Sequence, residues 1–253
     1  MPSSARLGQN FLVNREVAAA LVAAVPEGSG PLLEIGPGHG ILTELLLGAF
    51  PTRPLTAVEI DPELAAALET RLGSRLRLVA ADIRAVPPGQ VFAGTPFFLI
   101  GNLPYYLSKD IFDWLIAGAP WLEGGLVMVQ REFARKILAE DNAQGVMAGR
   151  LFRLQRLRTV HPGSFSPPPK VVSMVISFTR REGEPVVPEL YPFLRRAFAH
   201  RRATLANALA PDPSRERTIA GLGELGRSAN TRAEELSGPE WIRLFGILQP
   251  FRG

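Results

Sequence analysis

Pro96-Phe97-Phe98-Leu99-Ile100-Gly101-Asn102-Leu103-Pro104-Tyr105 reads as an apolar strand that leaves its sheet through an amide, a proline and an aromatic ring. Asn102 Oδ1 and the Leu103 carbonyl can accept both N–H bonds of a planar exocyclic amine such as adenine N6. Held so, the delocalised lone pair of the amine turns toward an electrophilic methyl group. Pro104 stiffens the backbone, and Tyr105 can stack on a base, a contact worth ~1–3 kcal/mol. No general base is required, because the amine becomes acidic once it is methylated and charged. The competing reading is an ordinary turn, and the position at a strand exit weighs against it.

Upstream, short apolar strands alternate with amphipathic helices, the pattern of a mostly parallel sheet covered on both faces. The expected strands are 31–35, 55–59, 77–80, 97–101 and 125–130, followed by a pair at 158–160 and 171–178 that suggests a hairpin at one edge. Helices are expected over 15–25, 41–48, 62–72, 109–117 and 132–140. The fold class is α/β, Rossmann-like, with a seven-stranded mostly parallel sheet and a small C-terminal helical domain.

The first strand runs into Glu34-Ile35-Gly36-Pro37-Gly38-His39-Gly40, where glycines let the backbone turn tightly and approach a ligand. The second ends in Glu59, 23 residues after Gly36, where a carboxylate can accept both hydroxyls of a ribose. A dinucleotide site needs G-x-G-x-x-G/A, but Ile41 and Thr43 stand where the third small residue belongs. Asp82 follows the third strand and can accept from an adenine amine; a capping aspartate is its plain alternative. Each signal is weak alone, but four strand ends on one sheet edge agree.

At 253 residues with 46% hydrophobic content, the chain can fill one sizeable core and a small appendage, and no apolar run approaches the ~20 residues of a membrane helix. Without cysteine there is no disulfide, thiol nucleophile or thiolate metal site, which fits a cytoplasmic protein. His39, His161 and His200 form no ligand spacing, so no metal is expected. The net charge is only +4, from 28 basic and 24 acidic residues, although the isoelectric point is near 9.9. Clustering says more than the total. Arg195-Arg196 and Arg201-Arg202 lie one or two helical turns apart, and Arg150, Arg153, Arg156 and Arg158 crowd a second segment.

Around Arg180-Arg181-Glu182-Gly183-Glu184-Pro185 the strand pattern gives way to a polar, proline-bearing linker. Residues 1–182 therefore form the first expected domain and 183–253 the second, with helical spacing over 189–210, 214–220 and 239–249.

Gly8-Gln9-Asn10-Phe11-Leu12, Glu34-Ile35-Gly36-Pro37-Gly38, Asn102-Leu103-Pro104-Tyr105, Phe165-Ser166-Pro167-Pro168-Pro169-Lys170-Val171 and Arg201-Arg202-Ala203-Thr204-Leu205-Ala206-Asn207 occur in this order along nearly the whole chain. Together they resemble the KsgA family of S-adenosylmethionine-dependent 16S rRNA adenine N6,N6-dimethyltransferases. The resemblance implies that Asn10 and Leu12 close over S-adenosylmethionine, with Gly36, Gly38, Glu59, Ile60, Asp82, Ile83 and Asn102 around it. It implies that Phe165 stacks the target adenine opposite Tyr105, and that Asn102, Leu103 and Pro104 carry the transfer. Lys170, Arg195, Arg196, Arg201 and Arg202 are then expected on rRNA. The implied substrate is a pair of adjacent adenosines near the 3′ end of 16S rRNA in an immature 30S particle, met by a monomer.

Tyr106-Leu107-Ser108 departs from the family's frequent Asn-Ile-Ser, and Met147-Ala148-Gly149-Arg150-Leu151 is a loose version of its usual lead-in to the helix before the last strands. The alternatives are a 23S rRNA methyltransferase of the macrolide-resistance type, a DNA adenine methyltransferase, and a non-catalytic ribosome-assembly or transcription factor on the same fold. Intact Asn102 and Tyr105 speak against lost turnover.

Overall fold

The structure, a computed structural model, describes residues 9–28, 30–200 and 202–249. Nine strands and ten α-helices are assigned among them. In chain order the first part runs β1 (Phe11–Leu12), α1 (Arg15–Ala23), β2 (Leu32–Ile35), α2 (Ile41–Ala49), β3 (Leu55–Glu59), α3 (Pro62–Leu72) and β4 (Arg77–Ala80). Then come β5 (Phe97–Asn102), α4 (Ser108–Ala117), β6 (Leu122–Gln130), α5 (Arg131–Leu138), α6 (Ala143–Leu151), β7 (Phe152–Val160), β8 (Phe165–Ser166) and β9 (Ser173–Arg180). The last helices are α7 (Leu190–Ala197), α8 (Leu205–Leu209), α9 (Arg215–Glu224) and α10 (Gly238–Leu248).

Seven strands form one sheet in the order β4-β3-β2-β5-β6-β9-β7, and β1 pairs with β8 in a separate antiparallel ribbon. Strands β4, β3, β2, β5 and β6 are parallel, and β9 is antiparallel to both β6 and β7. The chain winds outward from β2 through β3 to β4, then returns to β5 on the other side of β2. The strand order thus reverses between β2 and β5, where open α/β sheets form a crevice at their carboxyl edge. Every residue of β2 is buried, as expected of a strand covered on both faces.

Helix starts follow side-chain chemistry. Asn14 Oδ1 accepts the Glu16 and Val17 amides at α1, and Asp61 accepts those of Glu63 and Leu64 at α3, where Pro62 also fits the first turn. Leu32, Phe98, Ile100, Leu126, Met128 and Val175 turn one sheet face onto Ala18, Leu21 and Val22 of α1 and Leu46 of α2, in a single hydrophobic cluster.

Contacts divide the chain into two compact units, one ending at Ala134 and resuming over Phe152–Arg180, the other made of Arg135–Leu151 and the chain from Arg181. The second unit therefore takes in α6, which the apolar pattern of the sequence did not mark as a helix. Its core holds Leu194, Leu205, Leu209, Leu222, Trp241 and Leu244, all fully buried. The rings of Phe193 and Phe198 pack on Trp241 at centroid distances of 6.1 and 5.4 Å. Ser237 and Glu240 form a capping box at α10, and Arg227 doubles it with two bonds to Glu240 at 2.7 and 2.9 Å. Arg227 and Ser237 together hold the Glu240 carboxyl down at about 2.

Two expectations need correction. The helix expected over 189–210 is two helices: α7 ends at Ala197, and Thr204 starts α8 from an extended conformation, with Leu205 N bonded to Thr231 O at 2.8 Å. Arg202 therefore does not share a helix with Arg195 and Arg196. The two-residue strands β1 and β8 were also not foreseen, because they are too short to carry a period.

Candidate active site

A cavity of about 650 Å³, partly open to solvent, lies at the carboxyl ends of β2, β3, β4 and β5. Gly36 and Gly38 line it after β2, Glu59 and Ile60 after β3, Asp82 and Ile83 after β4, and Asn102, Leu103, Pro104 and Tyr105 after β5. Gln9, Asn10 and Phe11 close one side. Leu12 lines a smaller neighbouring recess of about 270 Å³ with Pro37, His39 and Asn102.

Two glycines permit this closeness. Gly38 sits at φ +56°, and a Cβ there would stand 2.7 Å from Phe11 Cδ1. A Cβ on Gly101 would meet the Ile35 carbonyl at 2.7 Å, so the approach of β5 to β2 depends on its absence.

Glu59 is only 1% exposed, and its two oxygens accept the backbone amides of Gly38 and Asp61, each at 3.0 Å. Burial raises its pKa, opposed by these amides. A carboxylate has about four acceptor positions, so positions remain for hydroxyl donors from the cavity. Asp82 caps the short turn at Ile83–Ala85 and is gripped by Arg84, whose Nη2 lies 2.6 Å from Oδ2. Hydrogen bonds from Arg84 hold the Asp82 carboxyl below its ordinary value. Arg84 also reaches Asp110, 26 residues away, at 2.9 Å, a bridge that no spacing in the sequence signals.

Asn102 Nδ2 donates to the Asn10 carbonyl at 3.0 Å. That partner can only accept, so the amide orientation follows, and Oδ1 is left without a donor among the described residues. Tyr105 Oη shares a 2.5 Å hydrogen bond with Ser173 Oγ at the start of β9, which pins the ring. Burial pushes the Tyr105 phenol up. No sequence signal marked Ser173.

Phe165 is not brought into the cavity lining. It lies in β8, paired with Leu12, and is 3% exposed within the hydrophobic cluster. In this conformation it offers no face to a base, and its packing role is the one that its chemistry makes ordinary. Lys170, Arg195 and Arg202 are exposed. Arg196 differs: its guanidinium donates to the carbonyls of Leu209 and Asp212 and so ties the end of α8 to the following loop. Arg201 lies outside the described residues. No described helix is long and apolar enough to cross a membrane.

Comparison with known proteins bears on the family and the fold. The family model described as ribosomal RNA adenine dimethylase matches residues 3–249. Ribosomal RNA small subunit methyltransferase A of Acidobacterium capsulatum is 37% identical over 92% of this chain and 86% of its own length. The crystal structure of the 23S rRNA methyltransferase ErmE is 28% identical, covers 94% of this chain and 99% of that one, and superposes with a TM-score of 0.72. A dimethyladenosine transferase from Plasmodium falciparum shares the fold at a TM-score of 0.76, with 20% identity over 92% of this chain and 95% of its own. The chain belongs to the ribosomal RNA adenine dimethylase family.

Proposed function

We propose that this protein transfers methyl groups from S-adenosylmethionine to N6 of two adjacent adenosines near the 3′ end of 16S rRNA in an immature 30S subunit, giving N6,N6-dimethyladenosine. The observation that carries the reading is the Asn102 amide, which spends its nitrogen on Asn10 and keeps Oδ1 for a donor at the mouth of the cavity. When bound, S-adenosylmethionine supplies an electrophilic methyl group on a sulfonium. Gly36 and Gly38 leave room for its backbone-like portion, Glu59 suits its ribose hydroxyls, and Asp82 and Ile83 suit its adenine. Asn10, held by Asn102, closes the cavity over it.

For the substrate, Asn102 Oδ1 and the Leu103 carbonyl accept the N6 hydrogens and aim the lone pair. Tyr105, pinned by Ser173, stacks on the base. The adenosine leaves its helical stack at a cost of a few kcal/mol, which these contacts offset. Lys170, Arg195 and Arg202 are suited to phosphate, whereas Arg196 is occupied by carbonyls. The 23S alternative has the ErmE likeness at 28% identity, below the 37% shared with the small-subunit enzyme.

The test is to incubate the protein with labelled S-adenosylmethionine and undermethylated 30S subunits, 50S subunits or DNA, and locate the label. Dimethyladenosine in 16S rRNA is expected. Label confined to 50S or DNA would overturn the reading.

A further inference from the structure

Strand β7 carries Phe152-Arg153-Leu154-Gln155-Arg156-Leu157-Arg158-Thr159-Val160 along the open edge of the large sheet. Neither β7 nor its neighbour β9 contains an aspartate or glutamate. Arg153, Arg156 and Arg158 are exposed, and among the described residues none of the three side chains has a hydrogen-bond or ion-pair partner.

The register of the strand shows how these charges are aimed. Arg153 pairs with Thr179 and Gln155 with Ser177, while Arg156 pairs with Ile176. A bulge then skips Leu157, and Arg158 pairs with Val175. Side chains alternate along a strand, so without the extra residue Arg158 would share a face with Arg156. The bulge moves it to the face of Arg153 and Gln155. Val160 and Ser173 pair on that same face at its cavity end, where they and Val175 are buried, and Ser173 is the residue that holds Tyr105. Because β9 is antiparallel to both β6 and β7, the Arg158 end of β7 lies at the carboxyl edge of the sheet, with the cavity.

Counted along β9, Arg158 lies opposite a residue two positions from Ser173, and Arg153 opposite one six positions away. At ~3.3 Å per residue these offsets are ~7 Å and ~20 Å. The outer part of this face, Ser177 and Thr179, is not fully buried and adds hydroxyl groups. Arginine, glutamine, serine and threonine are the side chains that typically contact phosphate oxygens.

We propose that the exposed rim of this face, Arg153, Gln155 and Arg158 with Ser177 and Thr179, is a phosphate-contacting edge for the RNA chain flanking the target adenosine, with Arg158 toward the cavity end of the sheet and Arg153 farther from it. The proposal rests on the rRNA reading above. It gives the bulge a role in substrate approach, beyond the general use of charges and bulges to keep an open edge from pairing with another chain.

Arg156 provides an internal control, since it has the same charge on the same strand but points to the opposite face. The full-length R153Q/R158Q variant and R156Q are compared with wild type for binding to undermethylated 30S subunits across a salt series, and for KM and kcat on the same particles. Each phosphate contact on a single strand contributes ~0.7 to the slope of log affinity against log salt, so R153Q/R158Q should flatten the slope by about 1.4. Its KM should rise several-fold at unchanged kcat, while R156Q stays near wild type. A wild-type slope and KM for R153Q/R158Q, or an equal loss in R156Q, would overturn the proposal. If wild type itself leaves 30S unmethylated, the rRNA reading fails instead, and the two failures are distinguishable.

Discussion

Asn102 Nδ2 lies 3.0 Å from the carbonyl oxygen of Asn10, joining two segments 92 residues apart across the mouth of the cavity. One side chain thereby closes the cofactor region with its nitrogen and offers its oxygen to substrate. Asn102→Asp keeps an oxygen but loses the donor. It should weaken S-adenosylmethionine binding at least about 5-fold, corresponding to the ~1 kcal/mol of a lost hydrogen bond. Calorimetric titration checks this, and wild-type affinity would contradict it.

Gly38 combines φ +56° with a Cβ position 2.7 Å from Phe11. Gly38→Ala should destabilise the protein by about 1–2 kcal/mol through backbone strain, and displace Phe11 from the cavity wall. Denaturant unfolding and cofactor titration should therefore both shift. A change in neither would mean that the turn relaxes freely.

Tyr105 makes two separable contributions. Tyr105→Phe removes the bond to Ser173 but leaves a ring, so kcat/KM should fall less than about 10-fold. Tyr105→Ala removes the stacking face, and at ~1–3 kcal/mol per base should cost roughly 5- to 150-fold. Steady-state kinetics on undermethylated 30S subunits separates the two. Equal losses would shift the role from the ring to the hydroxyl.

Glu34 is 1% exposed and accepts one side-chain bond, from Thr43 Oγ1 at 2.7 Å, while Oε1 has no partner among the described residues. Burial pushes its carboxyl up to about 8 from 4.5. Between those pH values the native state keeps a proton that the unfolded chain has released. Stability is therefore lost as pH rises through this window, by about 1.4 kcal/mol per unit, and levels off above it. Glu34→Gln should remove this loss. Unfolding free energies of both proteins at pH 5, 7 and 9 check it, and parallel curves would refute the neutral carboxyl.

Strands β3 and β4 and helix α3 match their sequence expectations residue for residue, because Asp61-Pro62 and Gly73 punctuate that stretch. The four strand-end groups were legible for a similar reason, since each closes an apolar run at one sheet edge. Ser173 and Arg84 were not, because their partners are fixed by strand pairing and by a turn, which spacing does not reveal. Phe165 differs from its expectation because β8 pairs with β1 and buries the ring. Arg196 differs because the break between α7 and α8 brings carbonyls to its guanidinium.

The central claim is that Asn102 Oδ1 receives adenosine N6. Asn102→Ala, assayed in single turnover for N6,N6-dimethyladenosine in undermethylated 30S subunits at saturating S-adenosylmethionine, tests it most directly. The expected result is a fall of ~10²–10³ in the methylation rate, the scale for removing one preorganised polar group at a reacting centre. Dimethyladenosine formed at the wild-type rate would contradict the account.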